Sequence, residues 1–90
     1  MREYSMKKVL LVDDERELLD VLTTLVEMAG YQVFKATDGN EAWEILQNED
    51  IDVVLSDIRM PQMSGVELLK KIREQDSQKP RVLLASGFSD

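Results

Sequence analysis

Three carboxylates and one hydroxyl stand where short apolar runs of this 90-residue chain end. Asp13 and Asp14 follow Val9 to Val12, Asp57 follows the run Asp52 to Ser56, and Ser86 follows Arg81 to Ala85. Carboxylates crowded together repel one another, which raises their pKa values and destabilises a fold unless a cation lies between them. Magnesium suits such a place: it takes oxygen ligands in octahedral geometry, keeps several waters, and uses one or two carboxylates together with phosphate oxygens. A carboxylate left over can act as a nucleophile and form an aspartyl-phosphate. Taken singly, each residue has an ordinary explanation. Asp13 and Asp14 precede a helix and could only cap it, Asp57 could be a turn residue, and Ser86 could be a loop hydroxyl. The argument for chemistry is their joint occurrence at the ends of several strands.

Composition narrows the chemistry before any fold is drawn. The chain has no cysteine and no histidine, so disulfides, thiolate nucleophiles and imidazole catalysis are excluded. A hydrophobic fraction of 43% beside 32% charged residues is that of an ordinary globular domain. The net charge of −7 argues against nucleic-acid binding by this segment. No run approaches the roughly 20 apolar residues of a membrane span, and the first residues lack a signal-peptide core, so the expected location is cytoplasmic, with no membrane partner. Residues 1–6 are expected to form a flexible tail and residues 7–90 a single domain.

The elements that must position these groups follow from hydrophobic periodicity. Val9 to Val12 is continuously apolar, the pattern of a strand buried on both faces. Leu18, Leu22, Leu25, Val26 and Ala29 recur at helical spacing up to Gly30, which stops the helix. A second strand is expected over Gln32 to Ala36, and Asn40 is positioned to cap a second helix through Ala42, Ile45 and Leu46. A third strand, Asp52 to Ser56, leads into a turn at Met60 to Met63. Ser64 and Glu67 then have capping-box spacing ahead of a stripe of Val66, Leu69 and Ile72. Pro80 introduces the fourth strand, Arg81 to Ala85. Strict alternation of strand and helix means an α/β fold with a parallel sheet, and functional groups in such sheets gather beyond the carboxyl ends of the strands. Asp52, at the start of its strand, lies roughly 16 Å from Asp57 at about 3.3 Å per residue and is too far away to share an ion. Trp43 is expected to pack on its helix without a functional role, and Asn48 to Asp50 to form a solvated loop at the opposite end of the sheet.

Val9 to Glu15, Asp52 to Pro61, Ser64-Gly65 and Leu83 to Gly87 together resemble, in order and spacing, the receiver domains of bacterial two-component response regulators, including the single-domain chemotaxis type. The resemblance runs from Met6 to Asp90. It implies a flavodoxin-like open sheet with strand order 2-1-3-4 over the strands present. It implies that Asp57 accepts a phosphoryl group from a phosphohistidine of a sensor histidine kinase or histidine phosphotransfer domain. In that picture Asp14, Asp57 and the backbone carbonyl of Arg59 are direct Mg2+ ligands and Asp13 acts chiefly through a bound water. Ser86 is the switch hydroxyl that hydrogen-bonds a phosphoryl oxygen, while Pro61 and Gly65 shape the loop behind the site. The domain would catalyse only its own phosphorylation and dephosphorylation.

The family's length implies a further helix, strand and helix beyond Asp90, so the domain is expected to be incomplete at its C-terminus. The family's lysine at the end of a fifth strand and its switch aromatic would belong to that segment. Neither Lys35, inside the second strand, nor Lys79, at the start of the fourth, is placed to substitute. Two expectations follow for the 90-residue chain: weak phosphoryl acceptance, and self-association or segment exchange through an exposed fourth strand. The alternative function is therefore a non-phosphorylated assembly or domain-swapping module. A phosphohydrolase of the haloacid-dehalogenase type would need a second acid two residues after its nucleophile, where Arg59 stands.

Overall fold

A computed structural model describes residues 6–60 and 63–85. In chain order the elements are β1 (Lys8–Val12), α1 (Arg16–Met28), β2 (Gln32–Ala36), α2 (Gly39–Asn48), β3 (Val53–Asp57), α3 (Gly65–Gln75) and β4 (Arg81–Ala85). The four strands form one parallel sheet in the order β2-β1-β3-β4. This is the α/β architecture and strand order expected from the sequence.

The apolar run of β1 is explained by its place in the middle of the sheet. Val9 and Leu11 face α1 and pack with Leu19, whereas Leu10 and Val12 face α2 and α3 and pack with Ala42, Val54, Leu68 and Ile72. Burying one such leucine completely contributes about 1.5–3 kcal/mol relative to leaving it exposed. Helix 1 ends where Gly30 takes φ +100°, a left-handed conformation costly for other residues, and its N–H bonds to the Glu27 carbonyl at 3.0 Å. Ser64 and Glu67 form the expected capping box at α3.

Several local expectations need correction. The cap of α2 is Asp38, not Asn40: its Oδ1 accepts the Glu41 N–H at 2.8 Å, and Glu41 in turn accepts from the Thr37 N–H. In α1 the most buried residue is Leu19, while Leu25 of the anticipated stripe is 57% exposed. In α3 Leu68 and Ile72 are buried and Val66 faces solvent. β3 runs one residue later than the sequence suggested, so Asp57 is its last residue, in register with Ala85. The sheet itself, rather than a loop, sets the Asp57 backbone.

The opposite edge of the sheet is closed by ion pairs. Asp52 Oδ2 accepts the Lys8 N–H at 2.8 Å, Lys79 lies 3.3 Å from Asp50 and 3.5 Å from Asp52, and Lys8 is 3.2 Å from Glu49. The run ending in Asp50 is thus tied to lysines rather than simply solvated. The Lys8 backbone hydrogen bond, aided by Lys79, holds the Asp52 carboxyl below its usual pKa of 3.8. A depressed carboxylate contributes stability above its unfolded-state pKa and loses it as pH falls through the folded one. Asp52→Ala is therefore expected to lower stability by about 1 kcal/mol at neutral pH. Thermal melts should show that difference shrinking below pH 3.8, as wild type loses the same contribution.

Candidate metal centre

Asp13, Asp14 and Asp57 meet at the carboxyl end of β1 and β3. One carboxylate oxygen from each lies within 4.8 Å of the others. Asp13 extends β1 by one backbone bond, its N–H donating to the Ala36 carbonyl at 3.1 Å, and its side chain is buried. Its Oδ1 accepts the Glu15 N–H at 2.8 Å, which accounts for one oxygen as a turn-forming group before α1. Its Oδ2 is buried and has no hydrogen-bond partner. The turn thus accounts for half of this carboxylate only. A buried oxygen left unsatisfied costs free energy unless something is bound to it.

Burial pushes the Asp13 carboxyl above its ordinary pKa, and the charges of Asp57, Asp14 and Glu15 push it the same way against the opposing Glu15 hydrogen bond. Asp14 is exposed at the mouth, and Asp57 is buried, with Oδ1 accepting the Arg59 N–H at 3.2 Å. Beside them opens a hollow of about 500 Å³ lined by Asp14, Ile58, Arg59, Met60 and Ser64. A hard divalent cation fits this donor set: oxygen atoms only, concentrated negative charge, and one buried oxygen without a partner.

The turn that carries Asp57 is pinned at several points. Ile58 N–H donates to the Ala85 carbonyl at 3.2 Å and Gly65 N–H to the Ile58 carbonyl at 2.9 Å. Lys35 and Lys79 stand where the sequence placed them, paired with Asp20 and with Asp50 and Asp52, away from the acidic pocket. Trp43 is half-buried against the core with Lys71 over its ring at 4.8 Å. Ser86 and Pro61 lie outside the described residues. The sequence reading missed Ser56, a fully buried hydroxyl in β3; its signal was a polar residue between the apolar run Val53 to Leu55 and Asp57.

In a parallel sheet with helices on both faces, sites lie beyond the carboxyl ends of the strands, and the acidic pocket lies there. Residues 9–90 match the family described as response regulator receiver domain, and the chain belongs to it. It is 42% identical over 85 residues to the transcriptional regulatory protein CpxR of Escherichia coli, and 44% identical over 82 residues to the CpxR homolog of Haemophilus influenzae. Those alignments cover 94% and 91% of this chain but only 36% of each relative, so the chain spans about a third of their length. Among solved structures it resembles the chemotaxis response regulator CheY4 of Vibrio cholerae, with TM-score 0.84 and 37% identity over 89% of this chain and 68% of that one. It also resembles the response regulator TrrA of Thermotoga maritima in complex with Mg2+ and BeF, with TM-score 0.86 and 32% identity over 93% of this chain and 72% of that one.

The acidic triad has a consequence in the protein alone. The folded state holds the Asp13 proton more tightly than the unfolded state, so ionising Asp13 destabilises the fold. In magnesium-free buffer that penalty grows as pH rises through the raised pKa and is relieved as pH falls back towards 3.8. Asp13→Asn is expected to melt a few degrees higher than wild type at neutral pH without metal. Adding MgCl2 should raise the wild-type midpoint more than the variant's, and a larger rise in the variant would contradict the site.

Proposed function

We propose that this receiver domain accepts a phosphoryl group from a partner phosphohistidine onto Asp57, with Mg2+ held by Asp14, Asp57 and the Arg59 carbonyl and by Asp13 through water. The observation that carries it is the convergence of three carboxylates, one of which, Asp13, has a buried oxygen with no hydrogen-bond partner. A carboxylate oxygen of Asp57 attacks phosphorus as the phosphorus–nitrogen bond to the donor imidazole breaks; the imidazole, protonated at its other ring nitrogen, keeps the electron pair and leaves neutral. A divalent cation held by Asp13, Asp14 and Asp57 would neutralise charge on the transferring oxygens. This chain's part is to aim Asp57 from the end of β3, to restrain its carboxylate through the Arg59 N–H, and to leave an open hollow through which a donor can approach. Ser86, next after the Ala85 that pairs with Asp57, supplies a hydroxyl for a phosphoryl oxygen.

Receiver domains generally partner with histidine kinases; here the partner is a sensor histidine kinase or a histidine phosphotransfer domain, and this chain's location is cytoplasmic. Among the described residues, no helix is long and apolar enough to cross a membrane. Turnover is limited to the domain's own phosphorylation and dephosphorylation. The test is transfer of labelled phosphoryl from a phosphorylated histidine phosphotransfer domain: label should reach the chain with Mg2+ and stay on the donor with chelator. Magnesium-independent labelling would overturn the assignment.

A second reading is favoured by β4, where Leu83 is 58% exposed on the outermost strand of the described sheet. The 90-residue chain then associates with a copy of itself along that strand, independently of Asp57. Sedimentation over a concentration range tests it, and a folded monomer at high concentration removes it.

A further inference from the structure

We propose that Ser56 is a positioning residue of the acidic pocket: its hydroxyl fixes the Asp57–Ile58 peptide and so the spacing between the Asp57 carboxylate and the Arg59 carbonyl. The inference rests on those two groups being magnesium ligands.

Ser56 is completely buried on the face of β3 that carries Val54, in the core shared with Leu68. A hydroxyl placed there costs free energy unless it is hydrogen-bonded, and alanine would fill the position without that cost. The Ser56 Oγ donates to the carbonyl of Asp57 at 2.9 Å, with Met60 Sδ 3.9 Å away. That carbonyl belongs to the peptide at which the chain leaves the sheet. On its other side stands Gly65, where an added Cβ would lie 2.5 Å from the same oxygen. The peptide is therefore held between a donor and a closely packed backbone.

The groups fixed by this peptide lie on either side of it. The Asp57 carboxylate precedes it and is itself tied to the Arg59 N–H at 3.2 Å; the Arg59 carbonyl follows two residues on. Magnesium demands near-ideal octahedral geometry at about 2.0–2.1 Å, so tilting the peptide lowers affinity while every ligand remains present. A hydroxyl that merely satisfied itself in the core would affect folding and leave metal affinity alone.

The experiment measures the magnesium dissociation constant by calorimetry, and the thermal midpoint in metal-free buffer, for the full chain as wild type, Ser56→Ala and Ser56→Thr. Removing the hydroxyl in Ser56→Ala should weaken magnesium binding about tenfold, the usual effect of losing a group that orients a metal ligand, whereas Ser56→Thr should stay within about twofold of wild type. If Ser56→Ala does not fold, Ser56→Cys, with similar volume and a weaker donor, takes its place under the same criterion. Unchanged affinity in the hydroxyl-free variant, whatever its midpoint, overturns the proposal. Equal losses in Ser56→Ala and Ser56→Thr also overturn it, because packing and not the hydroxyl would then matter. Absence of magnesium binding by wild type is a different failure: it removes the metal site itself.

Discussion

The Asp57→Asn chain, incubated with Mg2+ and acetyl phosphate, keeps its unmodified mass, while a fraction of wild type gains one phosphoryl group. The side chain is nearly the same size and its oxygen can still accept the Arg59 N–H, so the end of β3 is preserved. What is lost is the nucleophile: an amide oxygen does not form an acyl phosphate. Removing a covalent nucleophile lowers rate by more than about a thousandfold, so intact mass should show a modified fraction in wild type and none in the variant. Equal labelling of the variant would move the acceptor elsewhere. Asp14, exposed and within 4.8 Å, is the neighbour that would then have to be tested.

Gly65→Ala should produce the second large effect, on stability and metal binding together. The new methyl would stand 2.5 Å from the Asp57 carbonyl oxygen, 3.1 Å from Ile58 Cα and 3.1 Å from Leu84 Cδ2. The two closest neighbours are backbone, which cannot turn aside as a flexible side chain does. Either the start of α3 or the turn after Asp57 must move. Overpacking of this kind costs about 1–3 kcal/mol, and the displaced turn should weaken magnesium binding by about tenfold or more. Gly30→Ala is the control. It has space around the added methyl but holds φ +100°, so it should cost about 1 kcal/mol and leave magnesium affinity unchanged. Wild-type melting and wild-type affinity in Gly65→Ala would contradict the close approach.

Much of this arrangement was legible in the sequence because it depends on local pattern. Continuous apolar runs marked β1 and β4, Gly30 marked the end of α1, and Ser64 with Glu67 marked the start of α3. The acids stood out because charge follows directly on those runs. What was not legible depends on tertiary contacts. Asp38 and Asn40 are both acceptable caps, and the reach of Glu41 back to Thr37 helps settle the choice. Leu18, Leu19 and Leu22 compete for the sheet side of α1, and only the docking angle of the helix puts Leu19 deepest. That Asp13 divides its two oxygens between a turn and an unpartnered buried position is likewise invisible to spacing. Ser56 was passed over because one serine in a strand carries no periodic signal.

The site is tested most directly by titrating MgCl2 into isotopically labelled wild-type chain and following its amide resonances. A metal centre at the carboxyl edge of the sheet gives the largest shifts at Asp13, Asp14 and Asp57 to Met60, and beryllofluoride added afterwards perturbs the same residues only when magnesium is present. Shifts concentrated at Glu49, Asp50 and Asp52, the acids at the opposite edge, or no saturable shift at all, would contradict it.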